Sequence, residues 1–175
     1  QDRRAQSQGH ARAGSGDLPL DGMRIRALQA GSNREIELIA SRMRLTLVEV
    51  LGKDRAEDLY SMDWLRERVR FHLDSMQCHA AVYLAEAEDG HILGQSIVRI
   101  EPARPLDAKP SPEEYGLMST IYVAPEARRA GVAVRLVDQV EAWIQEQGVD
   151  RAATNTGQNR IAADRISSVS RTIRQ

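Results

Sequence analysis

Residues 128–133, Arg-Arg-Ala-Gly-Val-Ala, carry the clearest chemical signal in the chain. They follow a β-type run at 115–123 (YGLMSTIYV) and a short turn, Ala124-Pro125-Glu126-Ala127, and they open a long amphipathic stretch. The first turn of a helix carries N–H groups with no intrahelical acceptor and the positive end of the helix dipole. Together these suit a phosphate or pyrophosphate. Gly131 removes the Cβ that would block a close approach, and Ala133 is the next smallest choice. Arg128 and Arg129 add fixed positive charge and forked donors for phosphate oxygens. The spacing therefore reads as a pyrophosphate cradle. The G-x-x-x-x-G-K-[ST] loop and the G-x-G-x-x-G fingerprint are both absent.

The elements that must hold this cradle are legible in the hydrophobic periodicity. MRIRAL at 23–28 alternates as a half-buried strand does. Ser32 or Asn33 caps a helix running to about Leu51, with the stripe Ile36, Ile39, Met43, Leu47, Val50 and a stop at Gly52. A second helix covers about Met62 to Met76, with the stripe Met62, Leu65, Val69, Leu73, Met76. Residues 79–87 and 92–101 form two strands around the turn Glu88-Asp89-Gly90-His91. Residues 102–114 contain four of the six prolines and form no regular element. After the strand at 115–123, a long helix runs from about Arg129 to Gln147, with the stripe Val132, Leu136, Val140, Trp143, Ile144. A short strand at Arg151–Asn155 and a last helical stretch from Gln158 or Asn159 complete the order β-α-α-β-β-β-α-β-α, a mixed α/β domain.

Composition narrows the function classes. The chain has 175 residues, 42% of them hydrophobic and 28% charged, enough for one globular core. Lys+Arg 24 against Asp+Glu 25 gives a formal net charge of -1, which argues against a sequence-independent grip on nucleic acid. No apolar run is long enough to span a membrane. The single Cys78 and four scattered histidines offer no metal set and no internal disulfide. With no signal-peptide pattern, this fits a reducing, cytoplasmic setting. Residues 1–22 are polar and rich in Gly, Ser, Gln and Arg, and they read as a disordered tail before a domain at 23–175.

The segment 115–136 resembles the GNAT superfamily of N-acetyltransferases. Arg128-Arg129-Ala130-Gly131-Val132-Ala133 matches that family's [Arg/Gln]-x-x-Gly-x-[Gly/Ala] signature, and Val123-Ala124-Pro125 precedes it at the family's spacing. The element order over 23–166 is similar as well. The resemblance implies a GNAT-like, mainly antiparallel sheet flanked by helices, and acetyl-CoA as co-substrate without a metal. It places the pyrophosphate on the amides of Arg129, Ala130, Gly131, Val132, Ala133 and Val134, beside Arg128. It places the pantetheine arm along Ile121, Tyr122 and Val123, with the Val123 N–H donating to the thioester carbonyl.

Asn159-Arg160-Ile161-Ala162 matches the first half of a further family pattern, Asn-x-x-Ala-x-x-x-Tyr-x-x-x-Gly-Phe, which implies a pantetheine contact for Asn159. The second half departs from it. Ile166 stands at the tyrosine that usually protonates the leaving thiolate, and Ser170-Arg171 at Gly-Phe. Residues 167–175 are too few and too polar for the last two strands, so the expected sheet ends with an exposed edge that invites a homodimer.

Attack on the thioester requires a neutral amine, and the base is normally a carboxylate or histidine. The family's usual positions hold Leu117 and Ser119 here. The nearest acids are Glu114 and Glu101, and Tyr115 or Tyr122 can supply the thiolate's proton. The expected reaction is acetyl transfer to a primary amine of a small-molecule or peptide acceptor by direct attack in a ternary complex. The alternatives are a non-catalytic CoA-binding regulatory module and a tRNA-directed acetyltransferase toxin, the latter disfavoured by the charge.

Overall fold

A computed structural model describes residues 22–28, 30–102 and 114–154. The alternating run at its start is β1 (Arg24–Ala27), and helix α1 (Asn33–Leu51) follows. Ser32 caps α1, its Oγ accepting from the Glu35 N–H at 3.4 Å, and the helix ends at Gly52, whose N–H bonds the Val48 carbonyl. α2 (Lys53–Leu59) was not expected: KDRAEDL buries only Ala56 and has no apolar stripe to read. α3 (Met62–Leu73) is capped by Ser61, whose Oγ accepts from the Trp64 N–H at 3.1 Å. It stops three residues short of the expected end, because the Asp74 carboxylate accepts from the Met76 N–H at 2.9 Å and turns the chain. Met76 is therefore 91% exposed and not part of the stripe, and Val50 at the end of α1 is also exposed.

The strands β2 (Ala80–Glu86), β3 (Ile92–Pro102), β4 (Glu114–Val123) and β5 (Ala152–Thr154) join β1 in one sheet ordered β1-β2-β3-β4-β5. Pairing is antiparallel from β1 through β4, and β5 lies parallel to β4. α1 and α3 cover one face, packing Ile36, Ile39, Leu65 and Val69 on Val82, Leu84 and Ile97. Helix α4 (Val132–Glu146) covers the other, packing Leu136, Val140 and Ile144 on Tyr83, Val98 and Met118. This is the mainly antiparallel, helix-flanked sheet that the resemblance implied. No helix among the described residues is long and apolar enough to cross a membrane.

α4 begins later than the periodicity suggested. After β4 comes one 3-10 turn (Pro125–Ala127), then a turn over 128–131, and helical geometry starts only at Val132. Arg129 has φ 65 and Gly131 φ 85, both in the left-handed region, so neither can belong to a right-handed helix. Residues 1–21 of the expected tail at 1–22, residues 103–113 of the Pro-rich stretch at 102–114, and the last helical stretch with Asn159 and Ile166 lie outside the described residues, whereas Pro102 and Glu114, expected in the irregular stretch, are the end residues of β3 and β4.

Candidate functional site

The site is assembled where the end of β4 meets the start of α4. β4 pairs with β3 along its length, but the register steps between Ile97 and Val98: Ile97 faces Thr120 and Val98 faces Met118. Ser119 is the additional residue of a β-bulge, and its Oγ donates to the Ile97 carbonyl at 3.4 Å. The bulge has a consequence for the backbone. In a regular strand, alternate residues aim their amide groups at opposite neighbours. The Gly116 N–H donates to the Arg151 carbonyl on the β5 side at 2.8 Å, whereas the Ala124 N–H donates to the Leu93 carbonyl of β3 at 2.9 Å. Those two residues share parity, so one extra residue between them must switch the edge. Beyond the bulge, Tyr122 bonds toward β3, while Ile121 and Val123 aim their N–H and C=O groups at the edge away from it. β5 pairs only with Gly116–Met118, so among the described residues the edge beyond Ser119 has no strand beside it.

The turn that follows supplies free donors. The first closed bond of α4 runs from the Arg135 N–H to the Gly131 carbonyl at 3.2 Å. Among the described residues, no backbone acceptor engages the amides of 129–134. The left-handed conformations of Arg129 and Gly131 curl this stretch, a geometry that gathers successive N–H groups into an anion-binding concavity. No acidic side chain occupies the first turn of α4, which leaves its positive end uncompensated. Arg128 and Arg129 are exposed beside it. The Arg128 Nε donates to the Val123 carbonyl at 3.2 Å, tying the turn to the open edge and leaving the terminal amino groups of the fork for an anion.

One element of the site escaped the sequence reading. Arg42, on the inner face of α1, sits over the Tyr122 ring with its Cζ 5.0 Å from the centroid. It donates to the Ile92 carbonyl at 2.6 Å and to the Gln95 Oε1 at 3.4 Å. Burial lowers its pKa, opposed by Tyr122 and Glu126. The available signal was a cation three residues after Ile39, inside an otherwise apolar stripe.

The acid candidates lie at the other end of β4. Glu101 and Tyr115 are cross-strand partners, and Glu101 is held by the Arg99 guanidinium. Arg99 in turn approaches the buried His72 Nε2 at 3.4 Å. Glu114 is exposed and stands opposite Pro102, one pair further out. At about 3.3 Å per residue, Tyr115 lies roughly 20 Å along the strand from Ile121. The sheet thus brings Glu101 and Tyr115 together and sets both apart from the amide cradle. No group of His, Cys, Asp and Glu among the described residues could hold a metal ion. Cys78 is half-buried, and burial pushes its thiol pKa up, which opposes a nucleophilic role.

Known acetyltransferases resemble this chain in sequence and in fold. Residues 50–165 match the model of the acetyltransferase (GNAT) family. A stretch of 77 residues is 36% identical to an aminoglycoside N(6')-acetyltransferase type 1 of Klebsiella aerogenes, covering 44% of this chain and 49% of that one. The chain thus spans about half the length of that curated relative. Among solved structures, an aminoglycoside antibiotic 6'-N-acetyltransferase from Acinetobacter baumannii superposes with a TM-score of 0.53 at 20% identity, over 85% of this chain and 89% of that one. A predicted acetyltransferase from Clostridium acetobutylicum, solved with acetyl-CoA, gives a TM-score of 0.57 at 13% identity, over 83% and 86% of the two chains. At such identities the structural likeness speaks for the fold.

Proposed function

Because this chain belongs to the acetyltransferase (GNAT) family, we propose that it transfers an acetyl group from acetyl-CoA to a primary amine by direct attack in a ternary complex. The observation that carries this reading is the pairing of two features at one point: unengaged amides at 129–134 and an open backbone edge at Ile121 and Val123. A pyrophosphate suits the first, with Arg128 and Arg129 beside it. An amide-bearing arm suits the second, pairing as an added strand does. The Val123 N–H then faces the thioester oxygen as charge develops on it, where a fixed donor stabilises the transition state most. The chain's own residues hold and orient the thioester in this scheme, and the arriving amine forms the new C–N bond as the C–S bond breaks.

Glu101, Glu114 and Tyr115, at the far end of β4, are too distant to take a proton from the attacking amine directly and are assigned to holding a remote charged part of the acceptor. Tyr122, directly after Ile121, is the nearer phenol to the departing thiolate. The similarity to aminoglycoside acetyltransferases makes a polycationic amino sugar the acceptor class to test first. The experiment measures CoA binding by calorimetry and amine-dependent thiol release across aminoglycosides, polyamines and peptide N-termini. Thiol release with at least one amine supports the transferase. CoA binding without turnover on any amine identifies a non-catalytic CoA-binding module instead, and absence of CoA binding refutes both.

A further inference from the structure

Gly94 lies in β3 directly opposite Val123, with α4 packed across it. A Cβ at this position would stand 2.8 Å from the Tyr122 carbonyl oxygen, 3.1 Å from Leu136 Cδ1 and 3.1 Å from Val132 Cγ1. All three are inside the distance at which non-bonded heavy atoms attract. The first is backbone of β4. The other two belong to the first turns of α4, and those side chains are 1% exposed or less. None can swing into solvent. A side chain at 94 would therefore wedge apart the end of β4 and the start of α4.

We propose that Gly94 is a positioning residue that sets the spacing between the two grips on CoA, the amide cradle opening α4 and the backbone edge of β4. The inference rests on the cofactor reading above and deepens it. Each grip is built locally: the cradle from the turn at 128–134, and the edge from the bulge at Ser119. Neither needs Gly94 for its own conformation. What Gly94 fixes is their separation, because it lets α4 settle onto β3 with no side chain between. Two linked contacts to one ligand reinforce each other only when their spacing matches the ligand's span. A side chain here displaces the Tyr122–Val123 peptide as a unit relative to the start of α4, and that change of spacing costs the linkage.

Gly116 offers a control within the same layer. A Cβ there would overlap Ile144 Cδ1 and Cγ1. It packs against the far end of the same helix, about 18 Å from Val132 at 1.5 Å per residue. Overpacking at 116 therefore stresses the same interface without touching the junction.

The test titrates the wild type, Gly94→Ala and Gly116→Ala with ADP, which carries the pyrophosphate, with pantetheine, which carries the arm, and with CoA, which carries both. Calorimetry and ligand-observed NMR cover the strong and weak ranges. Gly94→Ala is expected to keep its ADP and pantetheine affinities within twofold and to lose at least tenfold for CoA. Gly116→Ala is expected to lower the Tm while keeping the CoA-to-ADP ratio. Unchanged CoA affinity in folded Gly94→Ala overturns the proposal, as does an equal fractional loss for ADP and CoA or the same loss of linkage in Gly116→Ala. If Gly94→Ala does not fold, Leu136→Phe adds bulk to the same gap from the helix side, one turn beyond the cradle amides, and carries the same expectations. Failure of the wild type to bind CoA at all refutes the cofactor reading and is distinguishable from every outcome above.

Discussion

Replacing Gly131 separates the two reasons a glycine stands in the cradle. Its φ of 85 and ψ of 4 place it in the left-handed region, where an L-residue pays roughly 1–2 kcal/mol. Gly131→Ala introduces that strain with the smallest side chain. It should lower stability by about 1 kcal/mol, or a Tm roughly 2–4 °C lower for a chain of this size. Gly131→Glu adds a carboxylate among the free amides of 129–134. A like charge about 4 Å from a phosphate costs about 4 kcal/mol at an effective dielectric of 20. That corresponds to roughly a thousandfold in affinity. Gly131→Gln carries the same bulk without the charge and isolates the electrostatic part. The assay is CoA calorimetry at low and moderate salt, with a thermal melt of each variant. Affinity should fall modestly for Ala, further for Gln and most for Glu, and the gap between Glu and Gln should narrow as salt screens the repulsion. A folded Gly131→Glu protein that binds CoA as tightly as the wild type would refute an anion cradle at this turn. Equal losses for Gln and Glu would show that bulk, not charge, excludes the ligand.

Two further expectations concern stability. Burial holds His72 down to about 4 from its ordinary 6.5, with Arg68 and Arg99 adding to the effect; its Nδ1 donates to the Arg68 carbonyl at 2.6 Å, so Nε2 is the nitrogen that would gain the proton, facing Arg99. The unfolded chain takes up that proton near pH 6.5 and the folded one only near 4, so stability contributed by neutral His72 is complete above 6.5 and is lost as pH falls through that window, by at most about 3 kcal/mol; urea midpoints from pH 7 to 4.5 should fall more steeply for the wild type than for His72→Gln, and equal slopes would contradict the assignment. Ser61→Ala removes the Oγ that accepts from the Trp64 N–H and should cost about 1 kcal/mol in a denaturant melt, while CoA affinity stays unchanged because α3 packs on the face away from α4.

Elements with a sharp local signature were readable in advance. Ser32 and Gly52 bound α1 because a cap and a stop are decided within a few residues of chain. The apolar runs of β2, β3 and β4 were legible for the same reason, since alternation or continuous burial shows in sequence order. α2 was not, because seven residues with one buried alanine are held by what they pack beside and not by their own pattern. The end of α3 was misplaced because Met76 continues the apolar spacing, while Asp74 uses its carboxylate to bond the next turn. Local side-chain chemistry overrode periodicity there. The start of α4 was misplaced in a related way. Arg129 adopts a positive φ that nothing in an arginine announces, and the turn at 128–131 precedes the helix.

The site divides along the same line. Its anion end was legible because a glycine, an alanine and two arginines at fixed offsets are all contributed by one turn. Its strand edge was not, since the direction of an amide in a sheet depends on the register with a neighbouring strand. Were β4 to run through Ser119 as a regular strand, the parity set by the Gly116 bond to Arg151 would turn Tyr122 and Ala124 toward the open edge and Ile121 and Val123 toward β3. The same residues would then present a different pair of donors, and the Arg128 side chain could not reach the Val123 carbonyl across that edge. Gly94 belongs to this second class: in sequence it is a glycine inside a strand, and only the arrival of α4 over β3 gives the missing Cβ a purpose. The cradle is a property of the turn, but its alignment with the edge is a property of three elements packed together.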